Sequence, residues 1–193
     1  MRRALISFCT VLVLWQLASS LGVIPEHRFA SPLAVFKGII ELEEVGLPPD
    51  YHLHTHIYYS MTLVGCGFCL AMLLAIPLGI LIGASVRIRS VLTPLLEFLR
   101  PIPPLAWIPI SMLWFGIGFP SACFIIFLGA FFPILLNTAH GVETVPRGLV
   151  GSAKTLGAKS RQLWIKVYLP ASVPSIVTGL RLGMGIAWMT LVA

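Results

Sequence analysis

The longest uncharged run in this chain constrains its fold most. Residues 101–142 carry no charged side chain over 42 positions. A helix needs about 20 apolar residues to cross the roughly 30 Å of bilayer hydrocarbon, so this run is too long for one crossing. The sequence Gly-Ile-Gly-Phe-Pro at 116–120 is typical of a turn. The run therefore predicts two transmembrane helices, at about 101–117 and 119–140.

Three further segments have the length and apolar character of membrane spans. They are residues 1–24, about 60–84 and 171–193. Composition supports this interpretation, because 58% of the 193 residues are hydrophobic and only 10% are charged, whereas about a quarter of a soluble domain is charged. We therefore expect an all-α membrane protein, a polytopic helical bundle with five transmembrane helices.

The basic residues are divided unevenly between the connecting segments. Most lie in 87–100 and 141–170, whereas 25–56 has only Arg28 and Lys37 together with five of the seven acidic residues. Because Lys and Arg concentrate on the cytoplasmic side of membrane proteins, the N-terminus and 141–170 are predicted to be cytoplasmic and 25–56 to lie outside. The net charge of +6 therefore reflects membrane topology, and nucleic-acid binding is not expected.

Segment 1–24 has a second interpretation. Arg2 and Arg3, an apolar core and the small residues 18–20 also match a secretory signal peptide. The apolar run is long for a signal core and further spans follow it, which favours a first transmembrane helix.

The outer segment 25–56 contains a predicted surface helix and three alternating histidines. Ser31 followed by Pro32 is a typical helix start, and Leu33, Phe36 and Ile40 recur on one face. We expect this helix to lie on the outer membrane face.

The histidines of this segment, His52, His54 and His56, suggest zinc as one hypothesis. No cluster of partner ligands accompanies them. A polar segment that precedes the next transmembrane helix explains the histidines equally well. No metal site is therefore predicted.

The sequence offers no catalytic set. Cys66 and Cys69 have the CxxC spacing of redox or metal sites, but they fall inside an apolar span, which favours buried helix thiols. His140 is isolated, and no Ser/His/Asp or metal-spaced group is present. An integral membrane enzyme is therefore disfavoured, as is an ion-coupled secondary transporter, because no span carries a carboxylate deep within it.

Two glycine pairs predict close helix packing. Gly79 and Gly83, and likewise Gly179 and Gly183, are spaced four residues apart. This spacing lets the backbones of membrane helices approach each other closely. The general enrichment of glycine in membrane helices is the alternative explanation.

Segment 141–170 is basic and punctuated by turns. Pro146 predicts the start of a short helix, and Gly157 predicts its end as a left-handed cap. The apolar positions of this helix recur at successive turns: Val145, Leu149, Ala153 and Leu156. A second short helix is predicted after Ser160, ahead of a fifth span that begins at Pro170. Such a pair of amphipathic helices could dock on a soluble partner or lie on anionic lipid, and composition alone leaves both open.

The spacing within this segment resembles the cytoplasmic EAA loop of ABC-transporter permeases. That loop reads Glu-Ala-Ala, three residues, Gly, nine residues, Ile-x-Leu-Pro. Here Ala153, Gly157, Leu169 and Pro170 match, and Val167 stands for the isoleucine. Gly151 and Ser152 replace the opening Glu-Ala, which removes one expected polar contact with the ATPase.

Four further stretches are similar to permeases of the nitrate, sulfonate, taurine and bicarbonate importer family. They read LRPIPPLAWIPI at 99–110, WFGIG at 114–118, GAFFPILLNT at 129–138 and TGLRLG at 178–183. The resemblance covers about 57–193 and implies a type I ABC importer permease of the MetI-like fold. Members of the family usually have six spans, so the chain is expected to end after the fifth and to be inactive alone.

The resemblance also implies partners and a location. Two permease subunits form a homodimer on two ATPase subunits, and an extracytoplasmic solute-binding protein delivers the solute in a bacterial or archaeal plasma membrane. Segment 141–170 would couple to the ATPase through Leu149, Ala153, Leu156, Gly157, Val167, Leu169 and Pro170. ATP and Mg would be bound by the ATPase, since the Gly-Ala-Lys-Ser at 157–160 lacks the rest of a P-loop. Nitrate, a sulfonate, taurine, bicarbonate or a thiamine precursor all fit as solutes.

Arg181 is the one full charge well inside a predicted span. Charge at that depth is costly and often functional, so a place on an anion path is one hypothesis. The alternatives are a structural arginine bonded to backbone carbonyls and a side chain that extends to the inner interface. Glu97 is a candidate partner.

Overall fold

A computed structural model describes residues 2–21, 29–46 and 52–192 of the chain. These residues are mostly helical, with no strand among them. The helices are α1 (Arg2–Ser20), α2 (Pro32–Glu44), α3 (Leu53–Ala84), α4 (Val86–Leu99), α5 (Ile108–Phe115), α6 (Phe119–Glu143), α7 (Arg147–Thr155) and α8 (Ser160–Val192). The all-α class predicted from the sequence is thereby confirmed.

Three of these helices are long and apolar enough to cross a membrane. They are α3, α6 and α8, with 32, 25 and 33 residues. Two shorter apolar helical segments, Leu5–Ser20 and Pro104–Phe115, coincide with the other two predicted spans. Every predicted span is therefore helical within the described residues, while the count of five crossings stays a prediction.

The chain divides into two compact units, Met1–Tyr59 and Ser60–Ala193. In the first, α1 contacts α2 and the residues just before it. The Leu33 amide donates to the Gln16 Oε1 at 3.3 Å, and the Trp15 ring lies 5.2 Å from that of Phe29, which precedes α2. Ser31 caps α2 by accepting a hydrogen bond from the Ala34 amide at 3.1 Å. The helix start expected from the Ser-Pro pair is observed, and its apolar residues are exposed, including Leu33, Phe36 and Ile40. Arg28, on which part of the orientation argument depends, lies outside the described residues.

The second unit is organised around α6. Its Ile134 and Leu135 side chains are fully buried, and α3 and α8 pack on it from different sides. Small residues recur every fourth position along the α3 contact face: Gly67, Ala71, Ala75, Gly79 and Gly83. Because apolar side chains gain little by leaving lipid for a membrane protein core, such small-residue faces bring helices together through close packing instead.

The turn between α5 and α6 falls where the sequence predicts it. Gly116 and Gly118 have φ angles of 76° and 135°, a region that side-chain-bearing residues rarely adopt. Helix α6 then starts at Phe119, with Pro120 in its first turn, where a missing amide hydrogen costs nothing.

The second short helix and the fifth span, predicted to meet at Pro170, are joined without a loop between them. Helix α8 runs without interruption from Ser160 to Val192, so the predicted second short helix and the fifth span are one element. A π-helical turn, Trp164–Tyr168, makes this continuity possible: the Leu169 amide donates to the Trp164 carbonyl, five residues back. Inside an α-helix the proline ring clashes with the carbonyl four residues earlier. That carbonyl belongs to Lys166, inside the wider turn, which relieves the clash.

Candidate functional site

Residues 146–170, which we call the elbow, contain α7, a glycine-capped turn and the first part of α8. The turn is a Schellman motif: the Gly157 amide donates to the Lys154 carbonyl at 2.9 Å and the Ala158 amide to the Ala153 carbonyl at 3.0 Å. Gly157 has a φ of 79°. Helix α8 then begins with the Lys159 amide bonded to the Gln162 Oε1 at 2.8 Å. The left-handed glycine expected from the sequence is therefore observed.

The apolar stripe of α7 is buried at one end and exposed at the other. Val145, which precedes the helix, is 8% exposed, whereas Leu149 is 51% and Leu156 is 88% exposed. Ala153 is half-buried between them. Because Ile165 on α8 is also more than half exposed, the elbow presents several apolar side chains in an otherwise basic segment. Clusters of this kind mark interaction surfaces more often than isolated exposed leucines do.

The remaining predicted elbow residues lie on α8. Val167 is half-buried, and Leu169 and Pro170 are exposed. On the same stretch Leu163 is buried, whereas Arg161 and Lys166 are exposed.

The elbow turn yields a conformational prediction. A Cβ at Gly157 would meet nothing within 4 Å, so Gly157→Ala tests the backbone alone. A left-handed conformation costs other residues about 1–2 kcal/mol, so we expect the amides of residue 157 and Ala158 to exchange hydrogen about five- to thirtyfold faster. Gly151→Ala, also in open space but inside α7, is the matched control and should slow exchange in α7. Unchanged exchange in Gly157→Ala would contradict the assignment of a strained cap.

All four predicted packing glycines lie against α6. A Cβ at Gly79 would come within 2.7 Å of the Thr138 Cβ, and one at Gly83 within 2.5 Å of the Ala139 carbonyl oxygen. On α8, a Cβ at Gly179 would lie 2.9 Å from the Asn137 Cβ. At Gly183 the nearest atom is the Ile134 Cγ1, at 3.0 Å. Both pairs thus stand at helix crossings, where an added side chain would clash with α6 or, at Gly183, displace the Ile134 side chain.

Arg89 was not singled out by the sequence, yet it joins three helix ends. Its Nη2 donates to the Gly83 carbonyl at 3.0 Å and its Nε to the Ile82 carbonyl at 3.4 Å, both at the end of α3. The same Nε lies 2.9 Å from the Oε1 of Glu143, the last residue of α6. One sequence feature points to this contact. Glu143 is one of only two acidic residues between 57 and 193, so a basic partner such as Arg89 could have been sought for it.

Arg181 is exposed on the surface of α8. Within the described parts of the chain it makes no hydrogen bond or ion pair, and Glu97 is not its partner there. A structural arginine bonded to carbonyls of this same chain therefore has no support among these contacts.

The histidine segment and the cysteines form separate, smaller features. The Nδ1 of His54 lies 3.2 Å from the Glu43 Oε1, and that of His52 lies 2.9 Å from the Glu43 carbonyl. Among the residues described, no three ligating side chains come together as a metal site would require. Cys69 is exposed and Cys66 is half-buried, so the expectation that both CxxC thiols are buried is wrong.

The bundle, with three helices long and apolar enough to cross a membrane, has the architecture of a helical membrane protein. Residues 75–193 match the model of the family described as binding-protein-dependent transport system inner membrane component. The chain belongs to this family, and its MetI-like permease fold follows from that membership.

Similar curated proteins agree. A putative ABC transporter permease of Methanocaldococcus jannaschii is 59% identical over 69% of this chain and 50% of its own length. The taurine transport system permease of Escherichia coli is 35% identical over 97% of the chain and 68% of its own length. The nitrate import permease of Leptolyngbya laminosa is 38% identical over 97% of the chain and 67% of its own length. The chain thus spans half of the first relative and about two thirds of the others.

Proposed function

We propose that this chain is the transmembrane subunit of an ATP-driven importer and forms part of the path for a small anionic solute. The observation that carries the proposal is the elbow, where Leu156 is 88% exposed beside a turn fixed by Gly157. An apolar side chain held out by a rigid turn is suited to a groove on a soluble partner. The names of the relatives, which include taurine, nitrate and bicarbonate permeases, support an anionic or zwitterionic solute.

In this proposal the elbow couples the bundle to a separate ATPase subunit. Closure of the ATPase around ATP and Mg displaces α7, and the helices packed on α6 rock to expose the path to one side and then the other. Rigid transmission is favoured because α8 is continuous from the elbow into the bundle. A second permease subunit and a solute-binding protein complete the assembly in the plasma membrane, with the N-terminus in the cytoplasm as the distribution of basic residues predicts.

Arg181 is the candidate path residue. It is exposed on this subunit at a depth where a lipid-facing guanidinium would be costly, which favours a water-filled path between two subunits. There it would attract an anion without binding it so tightly that release fails.

Reconstitution tests the proposed function. The permease assembled with its ATPase and its solute-binding protein should take up labelled solute into proteoliposomes only when ATP is supplied. A protonophore should leave uptake unchanged. Uptake that needs no ATPase and collapses with the protonophore would instead identify an ion-coupled secondary transporter.

A further inference from the structure

Arg89 and Glu143 form an ion pair between α4 and α6. Neither helix by itself accounts for the position of its charged residue. Glu143 is the last residue of α6, where the helix dipole disfavours a negative charge. A carboxylate there makes α6 less stable unless a cation compensates it. Arg89 supplies that cation, with its Nε 2.9 Å from the Glu143 Oε1.

The same guanidinium also stabilises the end of α3. The last carbonyls of a helix have no intrahelical partner, and a cation near them is favourable. Arg89 donates to two of them, on Ile82 and Gly83. Since Arg89 itself lies in the first turns of α4, one side chain joins the end of α3, the start of α4 and the end of α6. Ser85 separates the first two helices, and its hydroxyl caps α4 through the Ile88 amide.

This junction lies directly before the elbow. Only residues 144–146 separate Glu143 from α7, and Val145 within them is buried. A cavity of about 490 Å³ lies between the junction and α7, lined in part by Gly83, Arg89, Glu143, Gly151 and Lys154. Direct packing between α7 and the end of α3 is therefore incomplete. At the edge of the cavity the ion pair joins the ends of α3 and α6, three residues before α7 begins.

We propose that Arg89 and Glu143 are positioning residues that transmit movement of the elbow to α3 and α4. The inference rests on the proposed function, because it gives the pair a role in coupling. Coupling is measured as the ratio of solute imported to ATP hydrolysed. If the pair is broken, the elbow can move with the ATPase while α3 and α4 lag behind it. ATP hydrolysis then continues and transport falls.

The test measures solute uptake and ATP hydrolysis together in proteoliposomes of the assembled importer. Arg89→Gln and Glu143→Gln should each lower the ratio of solute to ATP about fivefold, the size expected when an ion pair about one third exposed is lost, with hydrolysis itself unchanged. Because the two residues act through one contact, the double variant should be no worse than the worse single variant. Arg87→Gln is the matched control, since Arg87 is exposed on the same helix.

Two results would overturn the proposal while leaving the proposed function intact. One is an unchanged ratio in both single variants of an importer that takes up solute with ATP. The other is independent, multiplying losses in the double variant. A readout that needs no transport accompanies them: in nanodiscs, Glu143→Gln should speed amide hydrogen exchange in residues 144–150 several-fold, and Arg87→Gln should not. Unchanged exchange in residues 144–150 of Glu143→Gln would also contradict the inference, whether or not ATP-driven uptake is found.

Discussion

Replacing Leu156 with glutamate is expected to weaken binding of the ATPase subunit about thirtyfold or more. In the proposed assembly Leu156 fills a groove on the ATPase, and central apolar anchors of this kind contribute about 2 kcal/mol or more to binding. A carboxylate in the groove would also lose its hydration without a partner. The fold should not change, because the side chain is 88% exposed. Pull-down of the ATPase by the detergent-solubilised permease, titrated with ATPase, measures the effect.

Ile117→Glu is the matched control for this experiment. Ile117 is 90% exposed and lies in the turn before α6, whereas the elbow follows the other end of that helix. The two substitutions therefore add the same charge to similarly exposed apolar sites, one before α6 and one beyond its other end, after α7. Equal binding by Leu156→Glu and the unaltered permease would refute the docking role of the elbow. If Ile117→Glu lost binding as strongly, the loss would reflect general damage.

The parts of the fold set by local chemistry were predictable from sequence. Gly157 and Gly116 each terminate a helix at a positive φ. Glycine adopts a positive φ without steric cost whatever surrounds it, so this feature can be read from the residue itself. The uncharged runs likewise predicted helices α3 and α6, because the bilayer demands that every backbone amide be bonded within its own segment. Family motifs then identified the elbow, but its exposed apolar side chains became evident only from the structure.

The features that sequence did not reveal depend on contacts between distant segments. Pro170 is a typical helix start, and only the π-helical turn before it shows how α8 continues through it. Arg89 looked like one more cytoplasmic arginine, because the carbonyls and the carboxylate that it binds are brought to it by the packing of α3 and α6. The glycine spacing predicted a contact but not its partner, which proved to be α6 for both pairs.

Packing on α6 gives the second large expected effect, in Gly79→Ala. The added Cβ would lie 2.7 Å from the Thr138 Cβ and 2.8 Å from the Leu135 carbonyl oxygen, and both belong to fully buried residues of α6. Backbone cannot yield as a side-chain end can, so α3 and α6 must separate. Overpacking of this kind costs about 1–3 kcal/mol, which corresponds to a melting temperature lower by about 2–12 °C for a chain of this size.

Gly65→Ala provides the opposite expectation on the same helix. A Cβ at Gly65 meets nothing within 4 Å, so the substitution removes only the backbone entropy of glycine. Alanine is favoured over glycine in a helix by about 1 kcal/mol, and the melting temperature should stay level or rise slightly. Thermal unfolding of the two variants in one detergent, followed by circular dichroism, compares them directly. Because helix propensity alone predicts a gain at both sites, a loss confined to Gly79→Ala isolates the α3–α6 contact, and equal melting temperatures would refute it.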